Sequence, residues 1–445
     1  MKVFPMAGTA RSTNAGRSDS AHDRSLVHRS GLPGRTFRAL WLAVGSANLG
    51  DGIARLALPL LVLGQGGSAV AVASVALAGR MPWLLGALPA GLIVDRLDRR
   101  QIAITANLTR VLLLGFMGLL AIDGTVELPV VLTVTFLIGL GEVLADSATQ
   151  ALIPVTVPAT DLVAANQRLI GTETVANEFS GPALGGVVSA VGTAVAFGTG
   201  AGLFLVAAGA LLTIRGSFQA GAHLPAMADS ARPERRGHWL NESLSGWHFI
   251  RSTPVLRGLV LAVLGMSLTW SAQQAVLVIY LVSPGPGNLS PLGFGFVLGG
   301  IGVGGLLGTV SVGFIVRQIG ELWAIALDLI GCIGMVAIPL LTANPWWVAG
   351  ASVGAGFGSG MWSVLVSAMR QRLTPPDLIG RVSATYRLFS MGSMTLGAGA
   401  AVAIVAFADV RVVFATFTVV AALAALPFLV WVRPAMRGER RSVSA

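Results

Sequence analysis

The stretch Gly91-Leu92-Ile93-Val94-Asp95-Arg96-Leu97-Asp98-Arg99-Arg100 joins two long apolar runs and carries most of its charge in its last six residues. Charged side chains at the centre of a bilayer cost several kcal/mol each, so this stretch must lie outside the hydrocarbon, as a short hinge between two buried helices. Because its net charge is basic, the hinge is expected on the cytoplasmic side. Its mixture of acids and bases also permits ion pairs across a moving interface.

The composition of the chain is that of an integral membrane protein. Of its 445 residues, 54% are hydrophobic and 11% are charged, and the mean hydropathy is +0.77. Soluble domains carry about 25% charged residues, and this length accommodates about twelve spans of about 20 residues. The net charge of +10 would suit a nucleic-acid partner, but the arginines lie in the tails and in alternate loops, so no such partner is expected. The single cysteine, Cys332, excludes an intramolecular disulfide and is expected to be a small buried hydrophobe.

The apolar runs predict an all-α membrane protein with twelve transmembrane helices in two six-helix bundles. The spans are predicted at about 38–63, 68–94, 101–122, 128–152, 169–191, 194–214, 255–282, 291–316, 322–341, 345–369, 382–407 and 410–431. The domains are predicted as a disordered cytoplasmic tail (1–35), a first bundle (36–214), a cytoplasmic linker with some helix near 240–250 (215–253), a second bundle (254–432) and a short cytoplasmic tail (433–445). Residues 1–35 lack the apolar core of a signal peptide.

The distribution of arginine predicts the orientation. The segments predicted to be external (64–67, 123–127, 192–193, 283–290 and 342–344) contain no Lys or Arg, and Arg411 is the exception to this pattern. The segments predicted to be internal carry many arginines, which puts both termini in the cytoplasm of a multi-pass cell-membrane protein.

The two halves also resemble each other. Residues 313–317 after span 8 parallel residues 91–95 after span 2, and residues 374–378 parallel residues 158–162. The separations, 222 and 216 residues, nearly agree. This pattern predicts two parallel repeats of six helices, with the substrate handled near the midplane between them.

Several motifs resemble those of a known family. The hinge 91–100 resembles the signature loop between helices 2 and 3 of major facilitator superfamily (MFS) transporters. Leu49-Gly50-Asp51-Gly52 with residues 57–63, Gly139-Leu140-Gly141-Glu142, Gly181-Pro182-Ala183-Leu184-Gly185-Gly186 and Gly380-Arg381-Val382 resemble the enterobactin-exporter-like and macrolide-efflux-like branch. This resemblance covers residues 36–432. It implies energised export of a hydrophobic or amphipathic small molecule by alternating access, with proton entry as the driving force.

The sequence departs from the family pattern in two places. Span 4 of the superfamily often carries an arginine four residues before a glycine like Gly139, and here that position is Thr135. The span 5 motif of antiporters is reduced to Gly181, Pro182, Gly185 and Gly186. The motifs therefore suit proton antiport without establishing it.

Ionisable residues within the spans are costly and are therefore candidates for function. The candidates for proton or ion coupling lie in the first half and are Asp51, Arg55, Arg80, Glu142, Asp146 and Glu178. Glu142 and Asp146 share one face of span 4, and two nearby carboxylates disfavour simultaneous ionisation, which suits a proton carrier. Asp51 and Arg55 share a face of span 1 and fit either a static pair within one helix or a functional site. Arg110, Asp328 and a helix-end charge at Glu173 are expected to be structural.

The arrangement of these charges has two interpretations. In superfamily members spans 1 and 4 both line the cavity, so the resemblance implies that Asp51 and Glu142 meet there. The alternative is purely structural pairing of these acids with Arg80. Glu178 is expected to pair with an arginine near the interface.

The hinge is predicted to act as a conformational latch formed by Gly91, Asp95, Arg96, Arg99 and Arg100. Asp95 would accept hydrogen bonds from the free N–H groups at a facing helix start, where the macrodipole favours an anion. The resemblance names that helix as span 11. The three arginines are expected to bind acidic groups of the first half.

The second half offers candidates for a substrate cavity: Trp270, Gln273, Gln274 and Trp362. Aromatic and amide groups among apolar ones suit a bulky amphipathic ligand. Tyr280, near the outer end of span 7, is interpreted as an interfacial anchor. The glycine-rich runs at 299–305 and 354–360 are interpreted as close-packing helix surfaces.

The sequence predicts a transporter and not an enzyme, acting as a monomer without cofactor or metal. It has no His-rich or Cys-rich metal site, no nucleophile elbow and no Walker loop, which also excludes an ATP-driven pump. The predicted partners are a small-molecule substrate (siderophore, macrolide or another drug-like compound), protons and the lipid bilayer. The alternatives are an importer, facilitator or lysophospholipid flippase on the same fold, or a non-transporting membrane sensor.

Overall fold

A computed structural model describes residues 34–94, 96–124, 126–158, 161–216, 218, 239–375 and 378–434. These residues are almost entirely helical, and one isolated bridge joins Val282 to Leu289 in the loop between two helices. The predicted N-terminal tail, most of the predicted linker, the C-terminal tail after residue 434 and Asp95 lie outside the described residues.

The helices follow the predicted spans closely. In the first half they are α1 (Arg35–Gly64), α2 (Ala69–Val94), α3 (Arg99–Asp123), α4 (Leu128–Thr156), α5 (Leu162–Thr174), α6 (Gly181–Val191) and α7 (Thr193–Leu212). A short helix, α8 (Trp239–Ser252), precedes the second half. That half contains α9 (Pro254–Leu281), α10 (Pro291–Ile319), α11 (Glu321–Leu341), α12 (Pro345–Leu373), α13 (Ile379–Phe407) and α14 (Val410–Pro427), and α14 continues as a π-helical turn, Phe428–Val432.

Span 5 differs from the continuous helix predicted from sequence. A π-helical segment, Val175–Ser180, joins α5 to α6, so residues 162–191 form one helical path with a change of pitch. The reason is Pro182, which lacks an N–H group and disturbs the hydrogen-bond ladder of the preceding turn. The path begins at Leu162, seven residues before the predicted start at 169.

Ten helices in the described part of the chain are long and apolar enough to cross a membrane. The two remaining paths are residues 162–191, divided by the π-helical segment, and α12, which carries Arg370 and Arg372 in its last turn. Together they are consistent with twelve transmembrane helices. Large exposed apolar side chains such as Leu112, Val310 and Leu341 cover the outside of the helices, as a lipid-facing surface requires.

The helix boundaries follow from local chemistry. Helices α9, α10 and α12 begin at a proline, whose missing N–H costs nothing in the first turn. Side chains of Asp98, Ser290, Asn344 and Asp409 accept hydrogen bonds from backbone N–H groups at the starts of α3, α10, α12 and α14. Helix α3 ends at Gly124, whose φ of 69° lies in the left-handed region that glycine tolerates.

Each half forms its own bundle, and a few helix pairs join the two. In the first half α7 packs on α1 and α3, and α4 packs on α2 and α3; in the second half α12 packs on α10 and α11, and α9 packs on α13 and α14. The main contacts between halves are α2 with α13 and α6 with α10. The second of these joins helix ends next to loops predicted to be external, because Gly186 lies directly against Gly295. The side predicted to be external is therefore closed by helix packing.

Glycine allows the closest packing in the second half. A Cβ atom built on Gly308 would lie 2.0 Å from the carbonyl oxygen of Phe357, and one on Gly356 would lie 2.0 Å from that of Ile301. Side chains at these positions would separate α10 from α12. The glycine-rich runs are thus close-packing surfaces, as the sequence indicates.

Candidate functional site

An open cavity lies between the two halves, with about 1220 Å³ of space including open solvent. Helices α1, α2, α4 and the path 162–191 form its wall on one side, and α9 and α10 form the other. Most of the wall is apolar. The polar and charged lining residues are Asp51, Arg55, Arg80, Thr135, Glu142, Asn177, Ser271 and Gln274. Such a surface suits an amphipathic ligand held by a few polar groups.

Asp51 forms a buried ion pair with Arg110 of α3. The Arg110 Nη1 group donates to Asp51 Oδ1 at 2.8 Å and to Oδ2 at 2.9 Å. The Asp51 side chain is 4% exposed and the Arg110 side chain is 1% exposed. Of the two alternatives for Asp51 and Arg55, a static pair within one helix is not the arrangement described, because the Asp51 carboxylate bonds to α3 across the bundle. Arg55 remains an electrostatic neighbour of Asp51.

Arg55 pairs instead with Glu142 of α4. Its Nη2 lies 3.3 Å from Glu142 Oε1, and the two side chains are 36% and 13% exposed. Asp51 and Glu142 both line the cavity, so the two predicted acids of spans 1 and 4 lie at one site. Arg80 lines the same cavity, and its backbone carbonyl accepts a hydrogen bond from Thr395 Oγ1 of α13 at 3.1 Å.

The remaining acidic candidates are Asp146 and Glu178, and Asp146 is not among the described residues that line the cavity. Asp146 follows Glu142 by one turn of α4, and the carboxylates of Glu142, Glu173 and Asp51 are its electrostatic neighbours. Glu178 belongs to the π-helical segment, but its side chain is outside the described part of the structure.

The hinge contacts carbonyl groups of the first half. Asp98 caps α3 and also accepts a hydrogen bond from the Phe218 N–H at 3.0 Å. The Arg99 guanidinium donates to the Ala151 carbonyl, and that of Arg100 donates to the carbonyls of Leu211 and Leu212. The described partners of Arg99 and Arg100 are thus carbonyl oxygens, mainly near helix C-termini, where the macrodipole favours a cation.

This arrangement corrects the prediction that Arg99 and Arg100 bind acidic groups. Arg96 is exposed, and Gly91 lies in the last turn of α2 with open space where a Cβ atom would be. Asp95, the centre of the predicted latch, lies outside the described residues, so its contact with span 11 stays a prediction.

The span 5 motif forms the crossing between three helices. A Cβ on Gly181 would lie 2.8 Å from the Cα of Gly52 in α1, and one on Gly185 would lie 3.2 Å from the Cα of Ile53. Gly186 faces the other way and meets Gly295 of α10. Pro182 lines the cavity. The motif therefore connects the cavity wall to the closed external side.

The four cavity candidates of the second half have different positions. Gln274 lines the cavity, together with its neighbour Ser271. Trp270 is partly buried against the hydrophobic core. Gln273 is 1% exposed, and neither of its amide atoms has a hydrogen-bond partner among the described residues. Trp362 is buried and donates from Nε1 to the Tyr386 hydroxyl at 3.0 Å. Trp270, Gln273 and Trp362 are not among the described residues that line this cavity.

Tyr280 is not an interfacial anchor. Its side chain is buried, and its hydroxyl donates to the carbonyl of Pro339 at 2.7 Å. It therefore ties α9 to α11 inside the second bundle, which corrects the interpretation from its position near a span end. Asp328 is buried in α11, with no hydrogen bond to its Oδ2 among the described residues.

Arg110 is the residue that sequence reasoning underrated. Its Nη2 donates to Asn107 Oδ1 at 2.7 Å, one turn earlier in α3. Two polar residues on one face of an otherwise apolar span are a signal for a buried polar site. Asn177 and Ser271 carried no comparable signal, because single small polar residues are common in transmembrane helices.

Comparison with known proteins identifies the family. Residues 29–441 match the family described as transmembrane secretion effector, within the major facilitator superfamily. This chain belongs to that family of membrane transporters. It is 28% identical over 369 residues to the enterobactin exporter EntS of Escherichia coli O1:K1 / APEC, which covers 81% of this chain and 83% of the relative. EntS of Shigella boydii serotype 18 (strain CDC 3083-94 / BS512) is equally similar.

Solved structures share the fold of this transporter. A bacterial homologue of the iron transporter ferroportin in an inward-facing state matches with a TM-score of 0.66 and 18% identity, over 89% of this chain and 98% of that one. The nucleoside transporter NupG matches with a TM-score of 0.64 and 12% identity, over 88% of this chain and 98% of that one. At these identities the likeness shows the fold alone. The protein is a multi-pass MFS transporter, and its described helices are consistent with the twelve predicted from its sequence.

Proposed function

We propose that this transporter exports a small amphipathic molecule and uses proton entry as its driving force. The observation that carries the proposal is the Arg55–Glu142 ion pair on the wall of a largely apolar cavity between the two halves. A substrate and a proton both have access to such a pair. Alternating access then follows from rocking of the two halves about the cavity.

The grouping of carboxylates around the cavity supports a proton-accepting role. Among the described side chains, the carboxylates of Asp51, Glu142 and Glu173 are electrostatic neighbours of Asp146. Neighbouring carboxylates disfavour simultaneous ionisation, so the group favours uptake of a proton by one of its members. Uptake of that proton changes the electrostatics of the wall that the substrate meets.

The energy of one proton is sufficient for useful export. A charge entering down about 100 mV provides about 2.3 kcal/mol. At about 1.36 kcal/mol for each factor of ten, one proton for each substrate supports a gradient of about 50-fold. Binding energy alone provides no gradient, so this coupling separates an exporter from a facilitator.

The relatives indicate the class of substrate. The similar proteins are named as exporters of enterobactin, so the proposed substrate is a siderophore or a molecule of comparable size and amphipathic character, such as a macrolide or another drug. The cavity lies within one chain, which supports a monomeric transporter. The arginine distribution supports a cell-membrane location with both termini in the cytoplasm.

Transport by inside-out vesicles is the test. Vesicles containing the transporter are energised to an acidic interior, and uptake of enterobactin or erythromycin is measured with and without a protonophore. We expect uptake that collapses on addition of the protonophore, and loss of this dependence in Glu142→Gln. Glu321→Gln is the matched control, because Glu321 pairs with Arg372 in the ends of α11 and α12, away from the cavity. Uptake unaffected by the protonophore would rule out proton coupling and leave a facilitator.

A further inference from the structure

A cage of side chains from several helices encloses the guanidinium group of Arg110. Besides its bonds to Asp51 and Asn107, the guanidinium carbon lies 4.3 Å from the ring centroid of Phe204 in α7, a cation–π contact. Gly141 of α4 makes room for the arginine stem, since a Cβ there would lie 3.0 Å from Arg110 Cγ. The cage thus fixes Arg110 between four helices of the first half.

The geometry of the cage makes the Arg110–Asp51 pair difficult to open. One nitrogen of Arg110 reaches both oxygens of Asp51, and protein covers both side chains almost completely. Separating the two groups would leave an uncompensated charge in a buried site, which is strongly unfavourable.

The Arg55–Glu142 pair lacks these features. It consists of a single contact at 3.3 Å, longer than a strong charge-assisted hydrogen bond. About a third of the Arg55 side chain is exposed, and the pair lies on the cavity wall. Water, a proton or a polar group of the substrate can therefore reach the pair. When the pair opens, its two charged groups face the cavity and are not left buried without a partner.

We infer that the two ion pairs have different roles in the transport cycle, an inference that rests on the proposed function. The Arg110–Asp51 pair stays closed throughout, and Arg110 is a positioning residue that fixes Asp51 and links α1 to α3. The Arg55–Glu142 pair opens and closes. Glu142 is the carboxylate that exchanges the proton, and polar groups of the substrate compete with the pair for Arg55 or Glu142.

The test follows the opening of the inner side with pH in the full chain. Cys332→Ser removes the native thiol, and cysteines replacing Asn166 in α5 and Gln371 in α12, both exposed, carry spin labels. The distance between the labels is measured by double electron–electron resonance in acidic and in alkaline buffer. We expect the pH response to persist in the double variant Asp51→Asn/Arg110→Gln and to disappear in Glu142→Gln.

Three further results decide the inference. The division of roles would be overturned if the double variant lost the pH response and Glu142→Gln kept it. Proton coupling itself would then still stand. Absence of any pH response in the unsubstituted labelled protein would instead remove the proposed coupling, and the inference with it. If the double variant does not fold, Arg110→Lys replaces it in the experiment, because lysine keeps the positive charge. An unchanged midpoint of the pH-dependent distance change supports the permanent pair, and a shifted midpoint contradicts it.

Discussion

Removing Arg110 alone is expected to destabilise the transporter far more than removing Arg110 and Asp51 together. Arg110→Gln leaves the buried Asp51 carboxylate without the guanidinium that it bonds, and such a broken pair costs about 3–5 kcal/mol. Asp51→Asn/Arg110→Gln leaves no unpaired charge. Both variants lose the contact of Arg110 with Phe204, so this loss cancels in the comparison. We therefore expect the double variant to be more stable than Arg110→Gln by about 3–5 kcal/mol, the cost of the unpaired buried carboxylate.

The free energy of unfolding in mixed detergent micelles measures this difference. Arg372→Gln is the matched control, because the side chain of Arg372 is 62% exposed in its pair with Glu321. An exposed pair contributes about 0–1 kcal/mol, so this variant should remain within about 1 kcal/mol of the parent. A double variant that is no more stable than Arg110→Gln would refute the reasoning, since Asp51 would then not depend on its counter-ion.

Three further substitutions test separate contacts. Tyr280→Phe removes the hydrogen bond to the Pro339 carbonyl and should lower the free energy of unfolding by about 1 kcal/mol; an unchanged value would show that the hydroxyl contributes nothing. Arg100→Gln removes donors to the carbonyls of Leu211 and Leu212. It should speed amide hydrogen exchange in the last turn of α7, and an unaltered rate would contradict this bracing role. Gly186→Leu should force α6 from α10, since a Cβ at Gly186 would lie 2.7 Å from Gly295 Cα. A cysteine replacing Gln274 should then react faster with an impermeant thiol reagent from outside, and equal rates would exclude this contact as the external closure.

The positions of the helices could be predicted from the sequence, because bilayer thickness fixes the length of an apolar run and arginine marks alternate loops. The predicted span at 128–152 corresponds to α4 (Leu128–Thr156) in the structure. The predicted span at 410–431 corresponds to α14 together with its π-helical turn. The interruption of span 5 was not predicted, because Pro182 alone does not reveal whether the preceding turn bends, breaks or changes pitch.

The partners of the buried charges could not be predicted in the same way. Asp51 lies four residues from Arg55 and 59 residues from Arg110, yet Arg110 is its partner. The choice depends on how α1, α3 and α4 pack in three dimensions. Gly141 of α4, for example, leaves room beside α3 for the stem of the Arg110 side chain. The burial of Tyr280 was predicted wrongly for a related reason. Its position near a span end indicates its depth in the membrane, whereas its burial depends on the helix face that it occupies.

The two halves are braced at their predicted inner ends by different means. In the first half the hinge residues Arg99 and Arg100 tie α3 to the ends of α4 and α7. At the equivalent place in the second half, the last turn of α10 has exposed Arg317 and Gln318 instead.

There α8 adds a second contact beside the Glu321–Arg372 pair, which joins the ends of α11 and α12. Its Gly246 lies against the carbonyl of Arg381 in α13, and the ring of Trp247 lies 5.2 Å from that of Phe389. Ile250 is buried in the same contact. The inner ends of α4 and α5 make no extended described contact with α12 or α13, so each bundle must keep its shape there without help from the other. Rocking of the two halves requires each half to be rigid. Helix α8 stiffens the second half as the hinge stiffens the first.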